Sequence, residues 1–382
     1  MKSGFYLSSL TNLSRISHES PMGIKGLKAF LRSKFPETIV RSHLSHFFGK
    51  RVAVDVLPYL FKFKAVQGDQ WRHGMLQFMM NLLAHTVHPC FITDGPCVTA
   101  EKREEQEKRK SAKNKLEDKI KSLQEDLTKY EQTAEISDRM KSLPIQVSSF
   151  RGMLLGDSGG DLNTEAVQNH IDKLIRQKVT IAPEDLEEVR EMCDALRFPF
   201  YTAKQEAESL CSFLCLQGQV DAVVTEDSDV LAYGAPCWIS GIEHDGSCLV
   251  VESETIRAAT GLSGSEWLDF CIMCGTDYNH GVEKFGPVSA FRAIQEHRTI
   301  EAVCAAHGLG AVWRPEIVRP LFRQPCSTAV RSKRDRTEVA CRPGYNPRPD
   351  RQQVLDLVRT KGYSSTAVYS FFQNEETKFI IE

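Results

Sequence analysis

The sequence predicts an α/β protein whose mostly parallel central sheet is flanked by helices. Three short runs of β-branched and apolar residues, 51–56, 89–96 and 220–229, each lead into carboxylates, as buried strands do when they leave a sheet. Between the first two runs, apolar residues recur at helical spacing at Met75, Phe78, Met79, Leu82 and Leu83. This strand–helix–strand order is typical of parallel sheets with crossover helices. Such sheets bind ligands at the carboxyl ends of their strands.

The size and composition are those of a soluble globular protein. The 382 residues are 41% hydrophobic and 26% charged, which is ordinary for that class, and no apolar run is long enough to span a bilayer. The 12 cysteines follow no regular spacing, which favours reduced thiols inside a cell over disulfides. Cys271 and Cys274 lack a second Cys or His pair at zinc spacing, so we interpret them as core residues.

Charge is unevenly distributed along the chain. The net charge of −2 by itself argues against nucleic-acid binding. Residues 314–361 nevertheless carry 12 Lys or Arg against 5 Asp or Glu, and residues 101–121 carry 9 against 6. If many of the remaining acids gather at a metal site, a near-neutral chain can still present a basic surface to DNA.

A highly charged segment covers residues 101–141. Its sparse apolar residues have helical spacing and are Leu116, Ile120, Leu123 and Leu127. The pattern predicts a helix with little core of its own, in either a coiled-coil-like hairpin or a mobile lid. We expect a flexible linker at residues 148–163, followed by helices at 165–177 and 183–196.

Acidic residues recur at the ends of the predicted elements. Glu226, Asp227 and Asp229 repel one another unless a cation or a proton neutralises them, although this segment alone is equally compatible with a solvated acidic turn. Glu206 and Glu208 open a helix, where acids commonly complement the dipole; they serve one site only if it lies at the helix end. Seven carboxylates are candidates for a single site, four of them after strand-like runs: Asp55, Asp94, Glu206, Glu208, Asp227, Asp229 and Asp277.

Six pieces of sequence occur in a recognisable order. They are Met22-Gly23-Ile24-Lys25-Gly26-Leu27, Val54-Asp55, Thr93-Asp94-Gly95, Glu206-Ala207-Glu208, Thr225-Glu226-Asp227-Ser228-Asp229, and Gly275-Thr276-Asp277-Tyr278 with Phe285-Gly286-Pro287. Together they make residues 22–372 resemble the flap endonuclease family, the XPG-type structure-specific nucleases. The chain is similar to the short forms, without a long basic tail, that large DNA viruses and cells encode. The resemblance implies a PIN-like nuclease core, a helical arch and a helix–two-turn–helix DNA-binding element.

The resemblance also divides the chain into regions. Residues 1–21 are expected to be an extension that is disordered or not translated, and they lack the pattern of a secretory signal. The other regions are an N-terminal nuclease region (22–99), a charged helical arch with a linker (100–164), an internal nuclease region (165–274), the helix–two-turn–helix (275–305) and a C-terminal region that completes the core (306–382).

The resemblance implies that all seven acids bind metal. Two-metal cleavage of a phosphodiester needs a pair of divalent ions, and Mg²⁺ prefers oxygen ligands. We therefore expect two Mg²⁺ ions per site, with Mn²⁺ as an expected substitute. Glu206 is expected to act near the attacking water, and Glu226 is left out of the set.

Two cations of the arch are implied to be catalytic. Lys102 and Arg109 fit the family's Lys-x-x-Glu-x-x-x-Arg pattern, and both would reach the scissile phosphate and offset its developing charge. The alternative is a solvated helix with internal ion pairs. Phe61 stands where the family usually has a Tyr that stacks on a base, and a core role is equally compatible with its type.

Further DNA contacts are implied at two other places. Gly23, which follows Met22, is expected to lie close to the substrate. Residues 277–290 resemble the helix–two-turn–helix, with Gly286 in its hairpin and Lys284 in place of a usual Gly. Because Val288 and Ser289 replace a usual basic pair, the K⁺ ion that often binds there is expected only weakly.

We therefore expect a metal-dependent 5′ endonuclease that cuts flapped or branched DNA near the junction of single strand and duplex, in replication, repair or recombination. The segment between Arg109 and Glu206 is longer than usual and residues 68–74 look shortened. These departures keep a 5′→3′ exonuclease and a four-way junction resolvase as alternatives. A catalytically silent DNA-binding scaffold is the non-enzyme alternative.

Partner and location follow from the same resemblance. DNA is the expected partner of a monomer without membrane contact, in the nucleus or at a viral DNA replication site. The spacing of Ser365, Val368, Phe371 and Phe372 superficially resembles a sliding-clamp peptide. Residues 352–372 also follow the pattern of the last core helices, which is the favoured interpretation.

Overall fold

A computed structural model describes residues 23–143, 164–283, 285–310, 312–323, 327–330, 338–339, 341, 343–363, 366 and 368–373. The expected extension at 1–21, the expected linker at 148–163, Lys284 and Ser365 lie outside these residues. Within them, the strands are β1 (Val40–His43), β2 (Arg51–Asp55), β3 (His88–Thr93), β4 (Phe200–Ala203), β5 (Ala222–Val224), β6 (Cys237–Ser240), β7 (Ser247–Glu252), β8 (Ala329–Val330) and β9 (Glu338–Val339).

These strands form one sheet in the order β1-β7-β6-β5-β2-β3-β4-β8-β9. The central strands β6, β5, β2, β3 and β4 are parallel, and antiparallel pairs extend both edges. The predicted mostly parallel sheet is thus confirmed. In the register of the centre, Val54 lies between Phe91 and Val224, so the carboxyl ends of β2, β3 and β5 lie side by side.

Helices cover both faces of the sheet. Their bounds are α1 (Leu27–Lys34), α2 (Val56–Gln67), α3 (Trp71–Ala84), α4 (Ala100–Thr133), α5 (Asp138–Lys141), α6 (Thr164–Gln177), α7 (Pro183–Ala195), α8 (Ala207–Leu216), α9 (Ser253–Thr260), α10 (Gly264–Cys274), α11 (Pro287–His297), α12 (Ile300–His307), α13 (Pro315–Arg323) and α14 (Arg351–Lys361). Among the helices in the described residues, none is long and apolar enough to cross a bilayer.

The alternation of side chains along each strand builds two cores. Ala53 and Ile92 point to the face covered by α1, α8 and α10, whereas Val54 and Phe91 point to the face covered by α2, α3 and α7. This is the period of two that a pleated strand imposes. Cys271 lies fully buried in the first core, and the cysteines of the described residues are free.

The charged segment forms a helical hairpin that projects from the sheet. Helix α4 has 34 residues and begins at Thr99, whose hydroxyl accepts a hydrogen bond from the Lys102 amide at 3.3 Å. Helix α6 packs against it, and a separate cluster fills the space between them: Ile120, Leu123, Leu127, Met140, Val167, Ile171 and Leu174. Helix α4 thus has little core of its own, in agreement with the expectation, and apolar residues of α5 and α6 complete the cluster.

The C-terminal residues belong to the second core. Val368 is fully buried and Phe372 is buried there beside α14. Their burial agrees with the interpretation of this stretch as the end of the core.

Candidate active site

Three of the predicted acids lie at the carboxyl ends of neighbouring parallel strands. Asp55 is the last residue of β2, Asp94 directly follows β3, and Asp227 comes three residues after the end of β5. Because these strands are adjacent and in register, their terminal carboxylates converge on one edge of the sheet. Burial raises the pKa values of Asp55 and Asp227, and the charges of the neighbouring acids raise them further, as expected for carboxylates that lie close together.

Helix α8 brings two more carboxylates to the same edge. Glu206 is the residue before its first turn and Glu208 lies within that turn. The Asp94 carboxylate accepts a hydrogen bond from the Ala207 amide at 2.9 Å, so it caps the exposed amide of the helix end. The condition set by sequence reasoning, that both glutamates serve a site at the end of their helix, is met.

A single threonine organises the turn after β5. The Thr225 hydroxyl donates to Asp55 Oδ2 and accepts from the Asp227 amide, both at 3.1 Å. Asp227 Oδ1 then accepts from the Asp229 amide at 2.8 Å. Sequence reasoning missed Thr225, although its position two residues before Asp227 at the end of an apolar strand was a usable signal.

Asp277 reaches the site from a helix. It follows α10, not a strand, which corrects the expectation that four acids follow strand-like runs. The long apolar run of residues 267–273 cannot be distinguished from a strand by composition alone. A tight turn holds the acid in place, since the Thr276 hydroxyl donates to Asn279 Oδ1 at 2.7 Å and the side-chain Nδ2 of Asn279 donates to the Ile272 carbonyl at 2.7 Å.

The arch places two cations among the acids. Lys102 is 8% exposed, and its Nζ lies 2.9 Å from Glu206 Oε2, 3.2 Å from Asp277 Oδ2 and 3.7 Å from Glu208 Oε1. Arg109 pairs with Asp277 while half of its side chain stays exposed. Because of these contacts, the alternative that Lys102 is a solvated residue on a charged helix is excluded.

Burial and mutual repulsion disturb the protonation of the site. Burial first, and then neighbouring carboxylates such as Glu208, raise the pKa of Asp94 to about 6, of Asp227 to about 7 and of Glu206 to about 8. The same two causes raise the pKa values of Asp55 and Asp229 well above the usual range. Clustered carboxylates with raised pKa values are typical of sites that neutralise them with a cation.

Burial alone would lower the pKa of Lys102. The charges of Glu208, Glu206 and Asp277 outweigh burial and raise it well above its usual value. The ammonium is therefore held in its charged form by the acids around it.

Oxygen atoms without partners mark where a cation fits. Among the described residues, Asp55 Oδ1, Glu206 Oε1 and Asp229 Oδ1 are buried and have no hydrogen-bond partner. Leaving such acceptors unsatisfied is costly, and oxygen donors alone suit a hard divalent ion such as Mg²⁺. As the side chains stand, no group of three or more His, Cys, Asp or Glu in the described part of the chain is arranged to hold an ion. The Lys102 ammonium and the Arg109 guanidinium contact three of the seven carboxylates.

Gly23 lies directly against the acidic turn. A Cβ added at Gly23 would lie 2.5 Å from both Asp227 Oδ1 and Ser228 Oγ. The backbone φ of Gly23 is +86°, a value that also favours glycine. The Ile24 amide donates to Ser228 Oγ at 3.0 Å. The N-terminal segment therefore packs on the site, beside Asp227.

Glu226 points away from the cluster. Its carboxylate pairs with Lys62 at 2.7 Å and accepts from the Gly241 amide at 3.2 Å. Burial would raise its pKa, but the charges of Lys62 and Lys28 lower it. The structure thus places Glu226 in an ion pair of its own.

The remaining predicted DNA contacts lie apart from the acids. Phe61 lies on α2 with 37% of its surface exposed, which leaves a face available. Gly286 is the residue before α11 and Pro287 occupies the first turn. Among the described residues other than its chain neighbours, none has an atom within 4 Å of a Cβ added at Gly286.

Comparisons with known proteins converge on this site. The family model of the XPG N-terminal domain matches residues 22–116, and that of the XPG I-region matches residues 197–277. The two matches contain all seven acids. A putative RAD2-like endonuclease of Frog virus 3 is 32% identical over 295 residues, covering 75% of this chain and 78% of the relative. A Flap endonuclease 1 of Cryptosporidium muris is 27% identical over 347 residues, covering 82% and 65%.

Solved structures share the fold. The catalytic core of Rad2 in complex with DNA substrate superposes with a TM-score of 0.60 at 18% identity, covering 92% of this chain and 99% of that one. Human GEN1 in complex with Holliday junction DNA gives 0.55 at 15% identity, covering 92% and 76%. Both likenesses concern the arrangement of the sheet and helices.

Proposed function

Because this chain belongs to the XPG family and is a phosphodiester nuclease, we propose that it is a 5′ nuclease that uses two divalent ions to cut flapped or branched DNA near the junction of single strand and duplex. The observation that carries the proposal is the convergence of seven carboxylates of the described residues near two cations of the arch. Five of these acids have raised pKa values, and three have a buried oxygen without a hydrogen-bond partner.

The seven carboxylates are the proposed metal ligands. The unpartnered oxygens of Asp55, Glu206 and Asp229 are the strongest candidates for direct contact. Mg²⁺ is the preferred ion for an oxygen-only set, with Mn²⁺ as a substitute. Such ions, when bound, supply an activated water and stabilise the leaving oxygen.

The chain's own residues orient this chemistry. Thr225 fixes the Asp55 and Asp227 carboxylates relative to each other through its two 3.1 Å hydrogen bonds. Glu206 has one oxygen engaged by Lys102 and the other unpartnered, so it is the proposed residue beside the attacking water. Burial of the cluster strengthens each of these electrostatic contacts.

Lys102 and Arg109 are the proposed phosphate-binding cations. Both now neutralise carboxylates. A cation bound by those carboxylates would repel them, which would leave the ammonium and guanidinium groups to face a phosphate at the same place. There they would offset charge that develops in the transition state.

A 5′ flap is the proposed substrate, supported by the helical hairpin, whose helix α4 contacts the carboxylates through Lys102 and Arg109. The short turn at Gly68–Gln70 and the long helix α4 keep a junction resolvase as the second candidate, since GEN1 was seen with Holliday junction DNA. The seven acids argue against a silent scaffold, because they destabilise a protein that binds no cation.

Duplex binding is proposed for the segment between α10 and α11. The free amides at the start of α11, after Gly286, can receive a backbone phosphate. We place the protein, as a monomer on DNA, in the nucleus or at a viral DNA replication site. Binding of K⁺ or of a sliding clamp has weaker support from the sequence.

One assay tests the proposal. Matched 5′-flap, nicked, blunt-duplex and four-way junction substrates, labelled to locate the cut, would be incubated with Mg²⁺ or with EDTA. We expect Mg²⁺-dependent cleavage near the flap junction, and faster cleavage of the four-way junction would favour the second candidate. Equal activity in EDTA would exclude the metal mechanism.

A further inference from the structure

Two buried tyrosines meet below the acid cluster. The hydroxyl groups of Tyr233 and Tyr278 lie 2.5 Å apart, within the range of an O–H···O hydrogen bond. Each residue is 5% exposed. Both rings also pack on Phe322 of α13, with centroids 4.7 Å and 5.2 Å away. The bond is therefore held in a water-poor and well-packed place.

Each tyrosine belongs to a different acidic turn. The Tyr233 amide donates to the Asp229 carbonyl at 3.1 Å, so the ring is anchored to the turn that carries Asp227 and Asp229. Tyr278 directly follows Asp277, and its amide donates to the Thr276 hydroxyl at 3.2 Å. Hydrogen bonds within each turn fix its own shape, and the hydrogen bond between the two tyrosine hydroxyls joins one turn to the other.

The N-terminal segment joins the same two turns at another point. The Ile24 amide donates to Ser228 Oγ at 3.0 Å and the Lys25 amide donates to the Gly275 carbonyl at 3.3 Å. The tyrosine pair is thus a second connection between these turns within the described residues, and it joins two side chains directly.

The pair also borders a cavity of 160 Å³ whose lining includes Glu206. The other lining residues are Thr99, Gln205, Ser209, Pro320 and Leu321. One tyrosine hydroxyl donates to the other. Among the described hydrogen bonds, none joins either hydroxyl to a carboxylate, so the pair acts on the carboxylates through the turns that carry it.

We propose that the Tyr233–Tyr278 hydrogen bond is a positioning device that sets the separation of the Asp227–Asp229 turn from Asp277 for binding divalent ions. This inference rests on the proposed function. Removing one hydroxyl leaves the other buried without its partner, which costs stability, whereas removing both leaves an apolar contact of similar shape. Stability and metal affinity should therefore respond differently to the single and double changes.

The test uses the variants Tyr233→Phe, Tyr278→Phe and both together in the full chain. Tyr363→Phe is the matched control, since this buried tyrosine donates to Glu188 at 3.3 Å in the second core. Mn²⁺ and Mg²⁺ affinity would be measured by titration calorimetry without DNA, and Tm would be measured in EDTA. Cleavage of a 5′ flap would be followed over a range of Mg²⁺ concentrations.

We expect about 10-fold weaker metal binding in both single variants, as for other residues that orient metal ligands, and a matching rise in the Mg²⁺ concentration needed for cleavage. The double variant should recover most of its Tm but bind metal no better than the single variants. Recovery of metal affinity together with Tm, or metal affinity as insensitive as in Tyr363→Phe, would overturn the proposal. If either of these results is found and the wild type nevertheless binds metal and cleaves DNA, the proposed function stands and only the positioning role of the tyrosine pair fails.

Discussion

Single residues of this protein have functions that depend on their neighbours. Thr225 holds two acids by one hydroxyl, and Gly23 allows the chain to pass the acidic turn at a distance that no side chain permits. The difference between Glu226 and Asp227 shows the same dependence. Adjacent in sequence, the first is paired with Lys62 while the second faces the other carboxylates.

Replacing Asp227 with Asn should abolish cleavage and preserve DNA binding. The amide keeps the shape of the side chain but removes the charge that would hold a divalent ion. Single-turnover cleavage and a binding titration with the same labelled flap would measure the two effects. Asp221→Asn is the control, because that acid pairs with Lys50 at the surface, away from the site. Wild-type turnover in the Asp227 variant would contradict the two-metal assignment.

Replacing Gly23 with Ala should impair cleavage far more than replacing Gly49 with Ala. Both glycines have a φ near +70° to +90°, so alanine would strain the backbone in the same way at either position. Only at Gly23 would the new Cβ also meet Asp227 and Ser228. We expect a loss of about 10-fold or more in cleavage rate, as for small misplacements of catalytic groups. Equal activity of the two variants would mean that the N-terminal segment does not constrain the site.

Strands and helices contribute to the candidate site through the residues at their ends. The carboxyl ends of β2, β3 and β5 and the start of α8 converge on one point, and the first turn of α4 brings Lys102 to it. The strand-end acids could be predicted from sequence because β-branched runs that stop at a carboxylate show where a strand leaves the sheet. The small core of the arch could be predicted only in part, since three of its residues come from α6, which the chain reaches 30 residues after the end of α4.

Neutralising Lys102 or Arg109 by substitution with Ala should slow single-turnover cleavage by about 100-fold or more, as loss of transition-state charge stabilisation does. DNA binding should weaken only modestly, because each substitution removes a single positive charge. Lys121→Ala, on the same helix but paired only with Glu125 at the surface, is the control. An unchanged rate in the Lys102 and Arg109 variants would show that these cations do not act on the phosphate.

At the scale of the whole molecule, we expect the free energy of unfolding and the affinity for divalent metal to be linked through the acid cluster. The resemblance drawn from short motifs led to the correct family because the motifs occur in order along most of the chain. The hydroxyl pair of Tyr233 and Tyr278 could not have been predicted in the same way. Its two residues are far apart in sequence, and only the packing of two turns on Phe322 brings them together.

The metal-free protein should lose stability as the pH rises from about 4 to about 8. The folded pKa values of Asp94, Asp227 and Glu206, about 6, 7 and 8, are higher than those of unfolded Asp and Glu. In this window the folded state binds more protons than the unfolded state, so unfolding becomes more favourable as protons are removed.

Thermal unfolding in EDTA and in Mg²⁺ at pH 5 and pH 8 would measure this. Mg²⁺ should raise Tm more at pH 8, where the carboxylates are available to bind it. The variant Asp227→Asn should show a shallower pH dependence in EDTA. A Tm in EDTA that rises between pH 5 and pH 8 would contradict the linkage.

The length of α4 gives the arch the mechanics of a lever. A helix of 34 residues extends about 50 Å at 1.5 Å per residue. A rotation of about 10° at Thr99 would therefore carry its far end about 9 Å, while Lys102, about 4.5 Å from the pivot, would move less than 1 Å. Any such rotation would therefore displace the tip of the arch about ten times farther than the Lys102 backbone at its root.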